Sequence, residues 1–141
     1  MSHQKKRLSG FSLIELLVVL VILGLLAAVV GPNVMDKLGG ARSKTARLQI
    51  ESLSGALDSY SLDTGRYPSS SEGLKALVSN PGDASNWNGP YLKKNKIPVD
   101  PWENAYHYKS PGDNGSYDLY SLGADNAEGG DKDNADINSW E

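Results

Sequence analysis

The chain has 141 residues, 39% of them hydrophobic, with 15 glycines, 7 prolines and no cysteine. That length leaves room for one modest domain beside a membrane segment, and the missing cysteines exclude both a disulfide framework and a thiolate metal site. The formal charge is −3; without Lys5, Lys6 and Arg7, the 14 basic residues fall to 11 against 17 acidic ones, a balance that argues against nucleic acid as a partner, because phosphates call for clustered Lys and Arg.

Residues 1–10, MSHQKKRLSG, are short, basic and polar, and residues 11–30 follow as FSLIELLVVLVILGLLAAVV. Twenty helical residues span roughly 30 Å, about the thickness of a bilayer's hydrocarbon core. Positive charge ahead of such a run keeps that side cytoplasmic and directs the C-terminal end outward. The apolar core is longer than that of a secretory signal peptide, and Ala27 and Ala28 lead into helical sequence rather than a cleavage site. Glu15 is the one charge in the run. An acid at the centre of a membrane helix costs about 2.5–3.5 kcal/mol, so a partner for Glu15 is expected.

Gly31-Pro32 comes next, and a proline there predicts a kink rather than a stop. Ala46, Ile50, Leu53, Leu57 and Tyr60 then recur at spacings of four, three, four and three, one face of an amphipathic helix. The prediction is a single long helix, kinked at Pro32, loosened at Gly39-Gly40 and running to about Leu62. Gly65 is the expected left-handed cap. Ser71 is the expected N-cap of a short helix, EGLKALVSN, with Leu74, Leu77 and Val78 on one face. A loop over residues 81–90 carries Trp87 and is anchored by Tyr91 and Leu92.

Residues 105–108 and 116–120 are aromatic-rich and partly alternating, with Asp113-Asn114-Gly115 between them. This predicts an antiparallel hairpin, with residues 136–140 as a third strand. Trp87, Trp102 and Trp140 are read as core. Residues 122–137, LGADNAEGGDKDNADI, hold five acidic side chains against one lysine. Two readings of that loop stand: a solvated charge run, or a cage of carboxylates and carbonyls for Ca²⁺. It is no EF-hand, since Ala135 occupies the third ligand position after Asp131 and Asp133. Two histidines, His3 and His107, and no HExxH, GxSxG or phosphate loop leave an enzymatic role without support.

The segment LSGFSLIELLVVLVILGLLAAVVGPNVMDK resembles the N-terminus of type IV pilin-like proteins. TGRYPSSSEGLKALV, GPYLKK, DPWENAYHY and SLGADNAEGGDKDNADINSW are similar to the major pseudopilins of type II secretion systems, so the resemblance covers essentially the whole chain. It implies an α+β, type IV pilin-like fold: a long kinked N-terminal helix packed on a small head with a short helix, a small antiparallel sheet and a calcium-binding loop. The implied organisation is a prepilin leader (1–10), a transmembrane and filament-core helix (11–30), its amphipathic continuation (31–62) and a periplasmic head (63–141).

The same resemblance implies chemistry at named positions. A prepilin peptidase would cut between Gly10 and Phe11 and methylate the Phe11 amine. Glu15, fifth residue of the mature chain, would serve assembly by pairing with the Phe11 amine of its own subunit or a neighbour. A structural Ca²⁺ would take the side chains of Asp125 and Asp136 and the carbonyls of Leu122, Ala127 and Asp133, with Asp133 also able to use its side chain; Glu128 and Asp131 are left unassigned. The implied role is the major subunit of a helical filament that helps drive folded exoproteins across the outer membrane. Its partners would be further copies, minor pseudopilins, an inner-membrane assembly platform and, before assembly, the membrane. The rivals are a type IV pilus pilin or minor pseudopilin, and a membrane-anchored enzyme or receptor.

Overall fold

A computed structural model describes residues 7 and 9–141 of the chain. The leader's Lys5 and Lys6 lie outside the described residues. Two compact units emerge, Met1–Lys37 and Leu38–Glu141, and helix α1, Leu13–Thr64, contributes to both.

In the first unit α1 is apolar on all sides, and its side chains stay exposed, from Leu13 at 89% to Val30 at 53%. The helix continues through Gly31 and Pro32. It also runs unbroken through Gly39-Gly40 and ends two residues beyond the predicted Leu62. Gly65 terminates it as expected: its φ is +82°, and its N–H donates to the Ser61 carbonyl at 2.8 Å.

The second unit is built on the amphipathic half of α1. Ala46, Ile50, Leu53, Leu57 and Tyr60 are all buried, joined by Ala56. They pack with Leu74, Ala76 and Leu77 of a short 3₁₀ helix, Gly73–Leu77, and with Tyr106, Leu119 and Ile137 of the sheet region. The predicted cap at Ser71 is wrong. Ser69 is the residue that matters: its hydroxyl accepts the Glu72 N–H at 3.2 Å, and the Glu72 carboxylate accepts the Ser69 N–H at 3.0 Å. This is the reciprocal Ser-x-x-Glu pattern of a capping box, closing the turn that leads into the 3₁₀ helix, two residues earlier than the Ser71 reading placed it.

The sheet has three antiparallel strands in the order β1 (His107–Lys109), β2 (Asp118–Ser121), β3 (Ile137–Asn138). His107 pairs with Tyr120, Tyr108 with Leu119, and Ser121 with Ile137. Alternation puts Leu119 and Ser121 on the core side. Tyr120 lies on the other face, stacked on His107 and edge-on to Trp140. Trp140 is therefore 40% exposed, unlike the predicted core residue, whereas Trp87 and Trp102 do pack against the core. The β1–β2 connection is longer than the tight turn the Asp-Asn-Gly signal suggests. Asp118, itself buried, closes it by accepting the N–H groups of Asp113 at 2.9 Å and Asn114 at 3.1 Å.

Loop 81–90 is anchored as its aromatics suggest. The Trp87 indole N–H donates to the Ala76 carbonyl at 2.7 Å, and the Tyr91 N–H to Leu77 at the same distance. The Tyr91 hydroxyl donates to Asp63, and the Tyr106 hydroxyl to Gln49, so both tyrosines tie the head back to α1.

Candidate functional site

Two places carry chemistry. At the first, Gly10 and Phe11 are exposed and lie outside regular secondary structure ahead of α1, with the Phe11 side chain at 83%. Glu15 sits in the first turn of the helix. Its N–H donates to the Ser12 hydroxyl at 3.2 Å, and its carboxylate accepts the Ser12 N–H at 3.4 Å. Ser12 and Glu15 thus form a second Ser-x-x-Glu capping box, satisfying two helix N–H groups that otherwise lack partners. Ser12 is a residue the sequence reading missed. The Ser-x-x-Glu spacing ahead of an apolar run was the signal for it.

At the second place, residues 122–137 fold back on themselves. The Asp131 region ends in a short 3₁₀ turn, Lys132–Asn134. The Ala124 N–H donates to the Asp133 carbonyl at 2.8 Å and ties the two limbs of the loop together. Gly123, with φ at +71°, allows this approach: a Cβ there would lie 2.8 Å from the carbonyl oxygens of Asp133 and Ala135.

The predicted ligands are distributed unevenly. Leu122 and Asp136 border one cleft of about 280 Å³, together with the unassigned Glu128 and with Asp118 and Asn138 of the neighbouring strands. Asp136 accepts the Gly129 N–H at 3.0 Å through Oδ2; its Oδ1 is buried and has no hydrogen-bond partner among the described residues. Asp125 accepts the Ala127 N–H at 3.2 Å in a local turn through Oδ1. Asp133 turns its carboxylate onto buried Gly39 of α1, leaving no room there for a side chain. Among the described residues no three acidic or histidine side chains converge. A cation in this loop would therefore rest on backbone carbonyls as much as on carboxylates, the mixed oxygen set that Ca²⁺ accepts. The orphaned Asp136 Oδ1 fits that requirement, because a buried carboxylate oxygen without a donor is costly unless a cation meets it.

The rest of the head shows no comparable gathering of reactive groups. Burial pushes the Tyr106 phenol above its ordinary range and the Tyr108 phenol up to about 12. The Tyr108 hydroxyl donates to the Pro68 carbonyl at 2.7 Å. The Arg66 guanidinium, paired with both Glu72 oxygens at 2.8 and 2.9 Å, holds the Glu72 carboxyl below its usual value.

Residues 33–140 match the protein family described as type II secretion system (T2SS), protein G, and residues 5–31 match the prokaryotic N-terminal methylation motif. Similar proteins named type II secretion system core protein G occur in Pseudomonas aeruginosa and Vibrio cholerae. The first is 50% identical, covering 98% of this chain and 99% of the relative. The second is 44% identical, covering 96% and 93%. The fold resembles the crystal structure of the major pseudopilin from the type 2 secretion system of enterohaemorrhagic Escherichia coli, with a TM-score of 0.62 and 32% identity. That likeness covers 77% of this chain and 95% of the other.

Proposed function

This chain belongs to the type II secretion system protein G family, and from that membership we propose that it is the major structural subunit of a type II secretion pseudopilus. The observation that carries the reading is the exposed apolar half of α1. None of its most hydrophobic 18-residue window is buried within the subunit. Such a surface needs lipid before assembly and other copies afterwards. The relatives are named as core secretion components, which favours a major subunit over a pilus pilin or minor pseudopilin. A structural subunit needs no catalytic machinery.

The membrane-anchored subunit holds its N-terminus in the cytoplasm, as Lys5, Lys6 and Arg7 favour, and its head in the periplasm. Prepilin peptidase then cuts between Gly10 and Phe11 and methylates the new amine. Glu15 is the nearest carboxylate available to that cation, and in a low-dielectric filament core the pair is far stronger than in water. Until then, its bond to the Ser12 N–H keeps the carboxylate close to the Phe11 backbone. The filament that results, built with minor pseudopilins on an inner-membrane platform, helps drive folded exoproteins across the outer membrane.

The acidic loop takes Ca²⁺. Asp125 and Asp136 would supply side-chain oxygens, and Leu122, Ala127 and Asp133 would supply carbonyls. The shared cleft adds Glu128 as a further oxygen donor. The ion supplies a cross-link within the loop, which no disulfide in this cysteine-free chain can provide.

Mass spectrometry of chain purified from membranes tests the filament reading. The expected mature N-terminus is N-methyl-Phe11. Any other mature N-terminus overturns the reading in favour of a permanently anchored receptor or enzyme.

A further inference from the structure

The motif DPWEN, residues 100–104, has no role in the assembly helix or in the proposed ion shell, yet it carries one of the most buried polar side chains in the head. Asp100 is 2% exposed and Ser121 is 0% exposed. Asp100 Oδ1 accepts the N–H groups of Trp102 at 3.1 Å and Asn104 at 2.8 Å, which fixes the side chain within its own turn. The backbone closes the same turn, through Asp100 N–H to the Asn104 carbonyl at 2.8 Å and Glu103 N–H to the Asp100 carbonyl at 2.9 Å. Its second oxygen, Oδ2, is then free to accept the Ser121 hydroxyl at 2.8 Å.

With its proton directed to Asp100, the Ser121 oxygen presents its lone pairs to the acidic loop. It accepts the Gly123 N–H at 3.2 Å. Gly123 is the residue whose left-handed backbone passes against the Asp133 and Ala135 carbonyls. Leu122, whose carbonyl is one of the proposed ion ligands, lies between Ser121 and Gly123. Orientation thus passes from a rigid turn, through one hydroxyl, to the first turn of the loop. A buried chain of this kind is favourable only when every member is satisfied, and here each link has its donor and acceptor.

We propose that Asp100 and Ser121 are positioning residues that set the first turn of the acidic loop before any ion arrives, and thereby raise its affinity for Ca²⁺. This rests on the calcium reading above for its affinity half, but not for its structural half. The bonds that carry that half run among protein groups alone.

The test uses the full chain in detergent micelles. Amide hydrogen exchange at Gly123 and Ala124 is measured in chelator, and Ca²⁺ affinity by calorimetric titration. Ser121→Ala leaves Asp100 Oδ2 and the Gly123 N–H without partners. It should speed exchange at Gly123 and weaken Ca²⁺ binding, each by about tenfold, the size of one lost hydrogen bond. Asp100→Asn keeps the acceptor for Trp102 and Asn104 but turns the other atom into a donor. It should show the same changes in a chain that still folds. Trp87→Phe removes the bond to Ala76, which involves no residue of the loop; it should lower the melting temperature and leave both loop readouts unchanged.

Ca²⁺ binding by the wild type with unaltered Gly123 exchange and affinity in Ser121→Ala overturns this inference alone. Absence of Ca²⁺ binding by the wild type overturns the calcium reading and the affinity half with it. Equal loss of affinity in Trp87→Phe reduces the pair to ordinary stability and overturns its positioning role.

Discussion

Val18 and Leu53 lie on the same helix, yet Val18 is 50% exposed and Leu53 is 1% exposed. The difference follows from what surrounds each in sequence. Around Val18 every face of the helix is apolar, so no rotation could hide the surface against one small head. Around Leu53 the apolar residues keep to one stripe, with Arg47, Glu51 and Asp58 elsewhere, and a single stripe can be buried within the subunit. One helix therefore carries two kinds of hydrophobic surface: one completed inside the chain, one completed only by lipid or other copies. Glu15 belongs to the second kind, and its capping box shows how a charge is tolerated there. Its carboxylate has a local N–H to meet while the surface awaits partners.

The sharpest way to break this contrast is Glu15→Ala. Membrane insertion should persist, since the variant only removes a costly charge from the run. Filaments recovered by shearing and counted by electron microscopy should fall by at least tenfold, because the Phe11 amine loses its counter-charge. Filaments in normal number would reduce Glu15 to a helix cap.

Next in size is a matched pair across the two halves. Leu57→Ala removes a fully buried side chain and should destabilise the head by about 2–5 kcal/mol. Val18→Ala should leave the head's melting unchanged, within about 0.5 kcal/mol for a site away from any packed feature, and show itself only in filament stability. Thermal melts of both variants by circular dichroism decide the matter. Equal shifts would mean that the two surfaces are not energetically separate.

The acidic loop, for which we propose an ion, extends the comparison to the head, where stability would again come from outside the chain. Removing Ca²⁺ with a chelator should cost about 2.7 kcal/mol if the ion was present at a hundredfold excess over its Kd. Asp125→Ala should reproduce the loss in the presence of Ca²⁺. Identical melting curves with and without the ion would eliminate the metal.

Much of this architecture was legible because it is periodic or local. The stripe from Ala46 to Tyr60, the Gly65 cap and the pairing of residues 105–108 with 116–120 each depend on spacings of a few residues. The same rule was available for the caps. Ser-x-x-Glu points to Ser69 and to Ser12, whereas proximity to the short helix alone points to Ser71, and charge alone makes Glu15 only a membrane anomaly. What sequence could not display is apposition between distant segments. Asp133 against Gly39, Asp118 closing the 113–114 loop and Asp100 reaching Ser121 are meetings made by the fold. A buried carboxylate in DPWEN looks like any turn aspartate until the strand that covers it is in place.

The smallest expected effect returns to the Ser69–Glu72 capping box, which unlike the Ser12–Glu15 one is packed into a completed unit. Glu72 serves there twice, accepting the Ser69 N–H and pairing with Arg66. Arg66 and then the Ser69 bonds favour its charged form, against the opposing effect of burial, and hold its pKa below the ordinary carboxyl value of 4.5. The sign follows from linkage: a depressed carboxyl pKa contributes stability that is fully present above the unfolded value and fades as pH falls through the folded one. Because the Arg66 side chain is 43% exposed, solvent screens the pair, and its worth is at most about 1 kcal/mol. Melting of wild type and Glu72→Gln should therefore differ by no more than this at pH 7 and converge as the pH drops below 4.5. A gap that stays constant across that range would assign the contribution of Glu72 to its packing and backbone bond rather than its charge, placing this box beside the Leu53 kind of surface and not the Glu15 kind.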